Sequence, residues 1–221
     1  MSEAHKAYLP AAGRDWALPF YDPFVKLFGG DAARKVLIDQ AAVRPSQRIL
    51  DIGCGTGTLA VQLKQLHPDI ELTALDPDPK ALARAGHKAR RAGVAVKFDR
   101  GYSDDLPYPD SSFDRVFSSF MYHHLRPEDK EKTLREVHRV LRPGGSFHML
   151  DFAGPESGQG FLAHFVHASH RLRDNAGSRI LSLLSQAGFE SPGKVGQRAM
   201  LFGRVAYYRA VKPAAAFPAH A

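Results

Sequence analysis

Two stretches of the chain carry residue types that could do chemistry. The first is Asp51-Ile52-Gly53-Cys54-Gly55-Thr56-Gly57, with a further acid, Asp76, standing beyond it. Three glycines at alternate positions, straight after a short apolar run, mark backbone that turns tightly or lies close to something. A turn of that kind, running from a strand into a helix, presents the free N–H groups of the helix start to a ligand. An acid roughly 20 residues further on, at the end of the next strand, can accept both hydroxyls of a ribose. Glycines, strand context and spaced acid together imply a nucleoside-containing ligand. The second stretch is Tyr122-His123-His124. Histidine exchanges a proton near neutral pH, so these residues are candidates for a general base; the alternative is that they cap or pack the following loop. Cys54, inside the glycine turn, is expected to pack rather than to act as a nucleophile.

These residues need elements to position them. Strands are predicted at 48–52, 70–76, 94–100, 113–119 and 145–152. Helices run between them: from Thr58 to Leu66, with Leu59, Leu63 and Leu66 at helical spacing; from Pro79, capped by Asp78, to a stop at Gly93; and over 127–141, where Pro127, Glu128 and Asp129 suit the positive end. Before them, Trp16 to Val43 reads as two helices. Asp22 and Pro23 open the first and Asp31 caps the second. After them, Phe161–Arg171 and Ser178–Ala187 read as helices, and 195–211 as a closing pair of strands. Alternation of this kind makes a parallel sheet covered on both faces. Ligands bind such sheets beyond the carboxyl ends of the strands, where the strand order switches. The glycine turn lies at such an end.

At 221 residues with 44% apolar content, the whole chain, 1–221, is expected to be one domain. It would carry an N-terminal helical cover (14–43), a substrate lid (154–176) and a disordered tail (213–221). No run approaches the roughly 18 apolar residues of a membrane span, the N-terminus lacks a signal-peptide pattern, and there is a single cysteine. Together these favour a soluble cytoplasmic protein. The net charge of +7 could steer the chain to nucleic acid, an anionic membrane surface or an acidic substrate, but the charges are dispersed and a solvated basic surface is favoured. His164, His167 and His170 spread over about 120° of a helix without a carboxylate or cysteine to complete a set, so no metal site is expected.

The glycine order is G-x-G-x-G rather than the dinucleotide G-x-G-x-x-G, and Asp51 precedes it by two residues. That pattern resembles motif I of the class I S-adenosylmethionine-dependent methyltransferases. "ALDPDPKAL", "GYSDDLPYPDSSFDRVFSSFMYHHL", "VHRVLRPGGSFHMLDF" and "LLSQAGFESP" resemble further motifs of that family, in order, from about Asp22 to Lys212. The nearest group is the small-molecule methyltransferases similar to the ubiquinone/menaquinone C-methyltransferases. The resemblance implies an α/β, Rossmann-like, doubly wound sheet of seven strands, six parallel and one antiparallel, with S-adenosyl-L-methionine as cofactor.

It also implies roles. Backbone from Gly53 through Cys54 and Gly55 to Gly57 would hold the methionine moiety. Asp51 would orient that loop and reach the ammonium through water. Asp76 would grip the ribose, with Pro77 against the adenine and Ser103 at the adenine edge. Ser118 would offer its carbonyl to the ammonium, and Tyr21 would close over the cofactor. One position departs from the pattern: Tyr102 replaces the family's usual adenine-binding acid, so either Asp104 swings in or Tyr102 stacks or hydrogen-bonds instead.

Methyl transfer from a sulfonium needs alignment and a dry site, and a base only where the acceptor must lose a proton. Ser118-Ser119-Phe120-Met121 stands where base-amine methyltransferases carry an Asn/Asp-Pro-Pro-aromatic sequence, and the double-glutamate loop of protein arginine methyltransferases is absent. A small organic acceptor is therefore preferred. The alternatives are an RNA or protein methyltransferase using the basic surface, or a non-catalytic S-adenosylmethionine-binding protein. The sequence leaves the receiving atom and the oligomeric state open.

Overall fold

The computed structural model describes residues 29–153, 177–200 and 203–214. Tyr21, most of the N-terminal cover, the lid segment 154–176 with its histidines, and tail residues 215–221 lie outside the described residues.

The elements follow in the order α1 (Gly30–Gln40), β1 (Arg48–Ile52), α2 (Thr58–Leu66), β2 (Glu71–Asp76), α3 (Pro79–Arg91), β3 (Lys97–Arg100), β4 (Phe113–Ser119), a 3-10 turn (Tyr122–His124), α4 (Pro127–Val140), β5 (Leu141–Phe152), α5 (Gly177–Gln186), β6 (Glu190–Met200) and β7 (Gly203–Val211). The sheet order is β3-β2-β1-β4-β5-β7-β6. β7 runs antiparallel to both its neighbours, and the other six strands are parallel. The expected seven-stranded α/β sheet is thus observed. Its strand order reverses between β1 and β4, so the crevice for a ligand opens at their carboxyl ends.

The strands show why both faces are covered. Leu50 and Ile52 of β1 join Leu134, Val137 and Val140 of α4 and Ile180 and Leu184 of α5 in one core. Ile49, one residue out of phase, joins Ala33, Leu37 and Ile38 of α1 and Leu59, Ala60 and Leu63 of α2 in the other. The period of two along a strand sends alternate side chains into opposite layers.

Local chemistry sets the element ends. Asp78 caps α3 by accepting from the Lys80 N–H at 2.8 Å, with Pro79 opening the helix. Its far end closes when Val94 donates to the Ala89 carbonyl and Gly93 turns left-handed. That spends the Val94 N–H on the helix, so β3 begins at Lys97 rather than at 94. α1 is capped by Gly29 at φ 85°, not by Asp31, which lies in the first turn 3.5 Å from Arg34. It ends at Gln40, short of Val43. β5 is longer than expected, because the Pro143-Gly144-Gly145 turn bulges inside the strand between the pairs Phe113↔Leu141 and Arg115↔Ser146.

Candidate functional site

The glycine turn leaves β1 and enters α2. Gly53, Gly55 and Gly57 all have positive φ, at 64°, 53° and 75°. At two of them, glycine is also demanded by neighbours. A Cβ on Gly53 would come 2.1 Å from Cγ of Met121, and one on Gly57 would come 2.7 Å from the Ala85 Cβ of α3. The first contact lays the turn after β4 directly against the glycine turn. The second lets α3 dock on the start of α2. Lys88 of α3 adds hydrogen bonds to Thr56 Oγ1 (3.1 Å) and Thr58 Oγ1 (2.7 Å).

Asp76 ends β2 and ties this turn to the next loop. Its Oδ2 accepts from the Gly55 N–H at 2.8 Å, and its Oδ1 accepts from the Asp78 N–H at 2.9 Å. Each carboxylate oxygen keeps a further lone pair for a ligand donor. Burial pushes the carboxyl up to about 6, against the pull of these two hydrogen bonds. Asp51 is more extreme. It is 1% exposed, and neither carboxylate oxygen has a hydrogen-bond partner. Burial, with Asp76 adding to it and Arg34 opposing it, pushes Asp51 up to about 8. A buried, unpartnered carboxyl is costly to the free protein and suits a cationic or hydrogen-bonding ligand group. The Cys54 thiol is pushed well above its ordinary value, by burial first and by Asp51 and Asp76 second, so it stays protonated and packs against the α1–α2 core.

Around the adenine edge expected from sequence, the Ser103 hydroxyl is paired with Thr133 Oγ1 of α4 at 2.9 Å. Asp104 lies close enough to Arg126 to act on its charge, and Tyr102 bridges to Asp105. The Pro77 carbonyl accepts from Arg100 Nε at 3.3 Å. Ser118 pairs with Ile52 across the switch point and is fully buried, with an unpartnered hydroxyl.

The turn after β4 separates the three proposed base residues. Tyr122 is fully buried in the α4–α5 core, with the Lys130 ammonium 5.5 Å from its ring centre. His123 and His124 lie ring to ring at 4.0 Å. His123 meets a carboxylate. Its Nδ1 is 2.6 Å from Asp151 Oδ1, and its backbone N–H donates to Asp151 Oδ2 at 3.0 Å. Asp151, near the end of β5, is fully buried and also accepts from the Phe152 N–H at 2.7 Å. Burial works to raise its pKa, but the His123 imidazole and these hydrogen bonds outweigh that and hold it below the usual range. An ionised carboxylate only accepts, so the proton of the neutral ring sits on Nδ1 and the lone pair on Nε2.

Sequence reasoning named His123 without its partner. Asp151 had a signal: an acid at the end of "SFHMLDF", a mostly apolar run in a central strand, needs a partner when buried. Arg34 was missed too. It is 5% exposed on α1, and its guanidinium lies 5.2 Å from the Phe120 ring centre. Its signal is spacing, because Arg34, Leu37 and Ile38 share the buried face of α1. Among the described residues no group of metal-ligating side chains is present, and no helix is long and apolar enough to cross a membrane.

Comparison with known proteins converges on this geometry. Residues 49–145, from β1 into β5, match the family model described as a methyltransferase domain. The chain is 32% identical over 185 residues to a demethylmenaquinone methyltransferase of Deinococcus radiodurans, covering 80% of this chain and 76% of that protein. It is 38% identical over 152 residues to a demethylmenaquinone methyltransferase of Thermus thermophilus, covering 67% and 68%. The crystal structure of the YcgJ protein from Bacillus subtilis superposes with a TM-score of 0.68 at 22% identity, over 82% of this chain and 98% of that one, which shows the shared fold. With a G-x-G-x-G turn at the switch point and these relatives, the chain belongs to the class I S-adenosylmethionine-dependent methyltransferases.

Proposed function

We propose that this enzyme transfers a methyl group from S-adenosylmethionine to a small hydroxylated aromatic acceptor, of the hydroquinone or phenol class, with His123 as general base. The observation that carries the reading is the 2.6 Å contact of His123 Nδ1 with buried Asp151, beside the glycine turn that Met121 touches. A base is superfluous for an acceptor that is already nucleophilic and is required for a hydroxyl. The two demethylmenaquinone methyltransferases carry a quinone in their names, whose reduced form is such a ring.

When bound, S-adenosylmethionine supplies an electrophilic methyl on a sulfonium. The backbone of Gly53 to Gly57 cradles its amino-acid portion, and Asp76 accepts from the ribose hydroxyls with the lone pairs left by Gly55 and Asp78. Buried Asp51 faces the ammonium, whose positive charge favours the ionised form of this otherwise protonated carboxyl. His123 Nε2 takes the acceptor's hydroxyl proton while Asp151 holds the ring and stabilises the imidazolium. The resulting phenolate is nucleophilic at oxygen and, by delocalisation, at the adjacent ring carbon. Alignment of acceptor and methyl supplies much of the rest, up to roughly 7–11 kcal/mol in well-oriented reactions.

The test is an acceptor panel: a demethylated naphthohydroquinone, simple phenols, aliphatic amines and RNA. Turnover on the hydroxylated rings, lost in His123→Ala with S-adenosylhomocysteine affinity retained, is expected. Turnover confined to amines or RNA, or full activity in His123→Ala, would overturn the proposal.

A further inference from the structure

At the end of the sheet opposite the glycine turn, three guanidiniums gather on the face that α1 covers. Arg115, near the start of β4, lies opposite Ser146 of β5, and Arg209 of β7 lies opposite His148 of β5. Arg115 also pairs with Ile49, and Arg209 is in phase with Tyr207; both apolar residues belong to the α1–α2 core, which fixes the face. Arg44 comes from the loop between α1 and β1, where Gln47 Oε1 accepts from its backbone N–H at 2.9 Å. Arg44 and Arg209 both lie close enough to act on the charge of Arg115. No carboxylate closes on any of the three. Arg115 Nε donates to the Ala41 carbonyl at the end of α1 (3.3 Å), and its Nη1 donates to the Asp114 carbonyl (2.8 Å). Arg44 and Arg209 are exposed, and their guanidiniums make no hydrogen bond or ion pair among the described residues. The Asp114 carboxylate acts on Arg115 from a distance, but its oxygens accept from Arg142 Nη1 at 2.9 Å and from the Arg48 N–H at 2.7 Å. Beneath the cluster, His148 is 1% exposed, stacked on Phe117 at 5.4 Å, with its Nε2 2.9 Å from Ser146 Oγ. Burial first, and the Arg115 and Arg209 charges second, push it down to about 3, so the ring is neutral and adds no charge of its own.

We infer that Arg44, Arg115 and Arg209 form a second binding site, for a phosphoryl group, at the end of the sheet remote from methyl transfer. Guanidinium presents paired donors in a planar fork that matches phosphate oxygens. Charge selects the ligand class. A phosphoryl group carries about −1.5 to −2 at neutral pH and three acceptor oxygens, so one group answers most of the triad's charge, where a single carboxylate leaves about two positive charges unanswered. The three arginines come from three separate segments, so each can address a different oxygen. Arg115 is held by two carbonyls, which leaves its Nη2 without a protein acceptor, and Arg209 stands on the strand paired with β5. The mutual repulsion of the free protein is relieved when the anion binds, which couples the ligand to stability. The same chemistry is offered by a soluble phosphorylated metabolite and by a lipid headgroup. The inference is independent of the cofactor site.

The experiment melts the full chain in inorganic phosphate and, at matched ionic strength, in sodium chloride. Wild-type Tm is expected to rise by about 3–6 °C when phosphate reaches ten times its Kd, beyond any change in chloride. Arg44→Gln and Arg209→Gln each weaken phosphate about 10- to 100-fold, the effect of one charge-assisted contact, read from Tm against concentration. Arg84→Gln removes an exposed arginine of α3 and leaves the response as it is in wild type. Co-sedimentation with phosphatidylglycerol vesicles, set against phosphatidylcholine vesicles, identifies the source. Retention on phosphatidylglycerol that Arg209→Gln abolishes assigns the phosphoryl group to a lipid headgroup, and a response to free phosphate without retention assigns it to a soluble metabolite. A chloride series that reproduces the phosphate shift, an equal loss in Arg84→Gln, or a wild type that responds to neither phosphate nor vesicles overturns the site. If either glutamine variant fails to fold, the wild-type comparison of phosphate with chloride and the remaining variant still decide the matter.

Discussion

Replacing Asp151 by asparagine separates the proton-transfer role of His123 from mere packing. The carboxylate accepts three hydrogen bonds: from the His123 ring at 2.6 Å, the Phe152 N–H at 2.7 Å and the His123 N–H at 3.0 Å. Asparagine keeps one oxygen. If its NH2 group takes the Oδ2 position, it faces the His123 N–H, donor to donor. If it takes the Oδ1 position, it meets the Phe152 N–H and donates to Nδ1, which drives the ring proton onto Nε2. Either arrangement leaves a buried donor unmade, at about 1–3 kcal/mol. For a domain of this size that lowers Tm by roughly 2–12 °C. The sign of the pH dependence follows from the depressed pKa of Asp151. Its contribution is present above the ordinary carboxylate value and is lost as pH falls through the lower folded value, so the variant should be less stable at neutral pH and converge with wild type in acid. Where the amide donates to Nδ1 the wrong tautomer removes the base, and in the other arrangement a neutral oxygen no longer stabilises the imidazolium, so kcat should fall on the order of 10²–10⁴-fold. The assay is initial-rate formation of S-adenosylhomocysteine with a hydroquinone acceptor, alongside calorimetric affinity for that product and ring ¹⁵N resonances of His123. Unchanged kcat with an altered tautomer would refute the reasoning, as would a loss of cofactor affinity that matches the loss of rate.

Two further outcomes follow from the glycine turn and its acids. Gly57→Ala should both destabilise the fold and abolish tight cofactor binding. A left-handed alanine costs roughly 1–2 kcal/mol and overpacking against Ala85 roughly 1–3 kcal/mol more, and chemical denaturation showing a smaller loss than about 1 kcal/mol would count against the contact at 2.7 Å. Asp51→Asn should change the pH dependence of stability in the free protein. Because Asp51 is raised to about 8, the folded chain holds a proton that the unfolded chain has lost, so wild-type stability declines as pH rises toward 8; Asp76, raised to about 6, acts the same way at lower pH. Between pH 6 and 8 the slope from Asp51 is up to roughly 1.4 kcal/mol per pH unit. Thermal melts of Asp51→Asn should lack it, and parallel profiles would contradict the assignment.

Much of this architecture was legible because its signals are local. β1, α2 and β4 match their sequence boundaries, and Asp78-Pro79 announces α3. Proline, caps and periodicity act within a few residues. Misplaced ends had non-local or conformational causes. Gly29 rather than Asp31 caps α1 through a left-handed φ, and β3 starts late because Val94 gives its N–H to the helix before it. The same division runs through the site. Asp51, Gly53, Gly55, Gly57 and Asp76 belong to one βαβ unit, so their grouping could be read from spacing. Choosing His123 over its neighbours required Asp151, which the β4–β5 pairing brings from 28 residues away. Arg34 needed the packing of α1 on a face that only three-dimensional structure defines.

The central claim is that methyl transfer occurs at the carboxyl ends of β1 and β4 with His123 as base. The most direct measurement is a crystal structure with S-adenosylhomocysteine bound. The account predicts the homocysteine portion over Gly53–Gly57 beside Asp51, ribose hydroxyls on Asp76, and His123 Nε2 on the side where the sulfur's methyl would point. A ligand seated elsewhere, or an imidazole that turns its Nε2 into the protein interior, would contradict it.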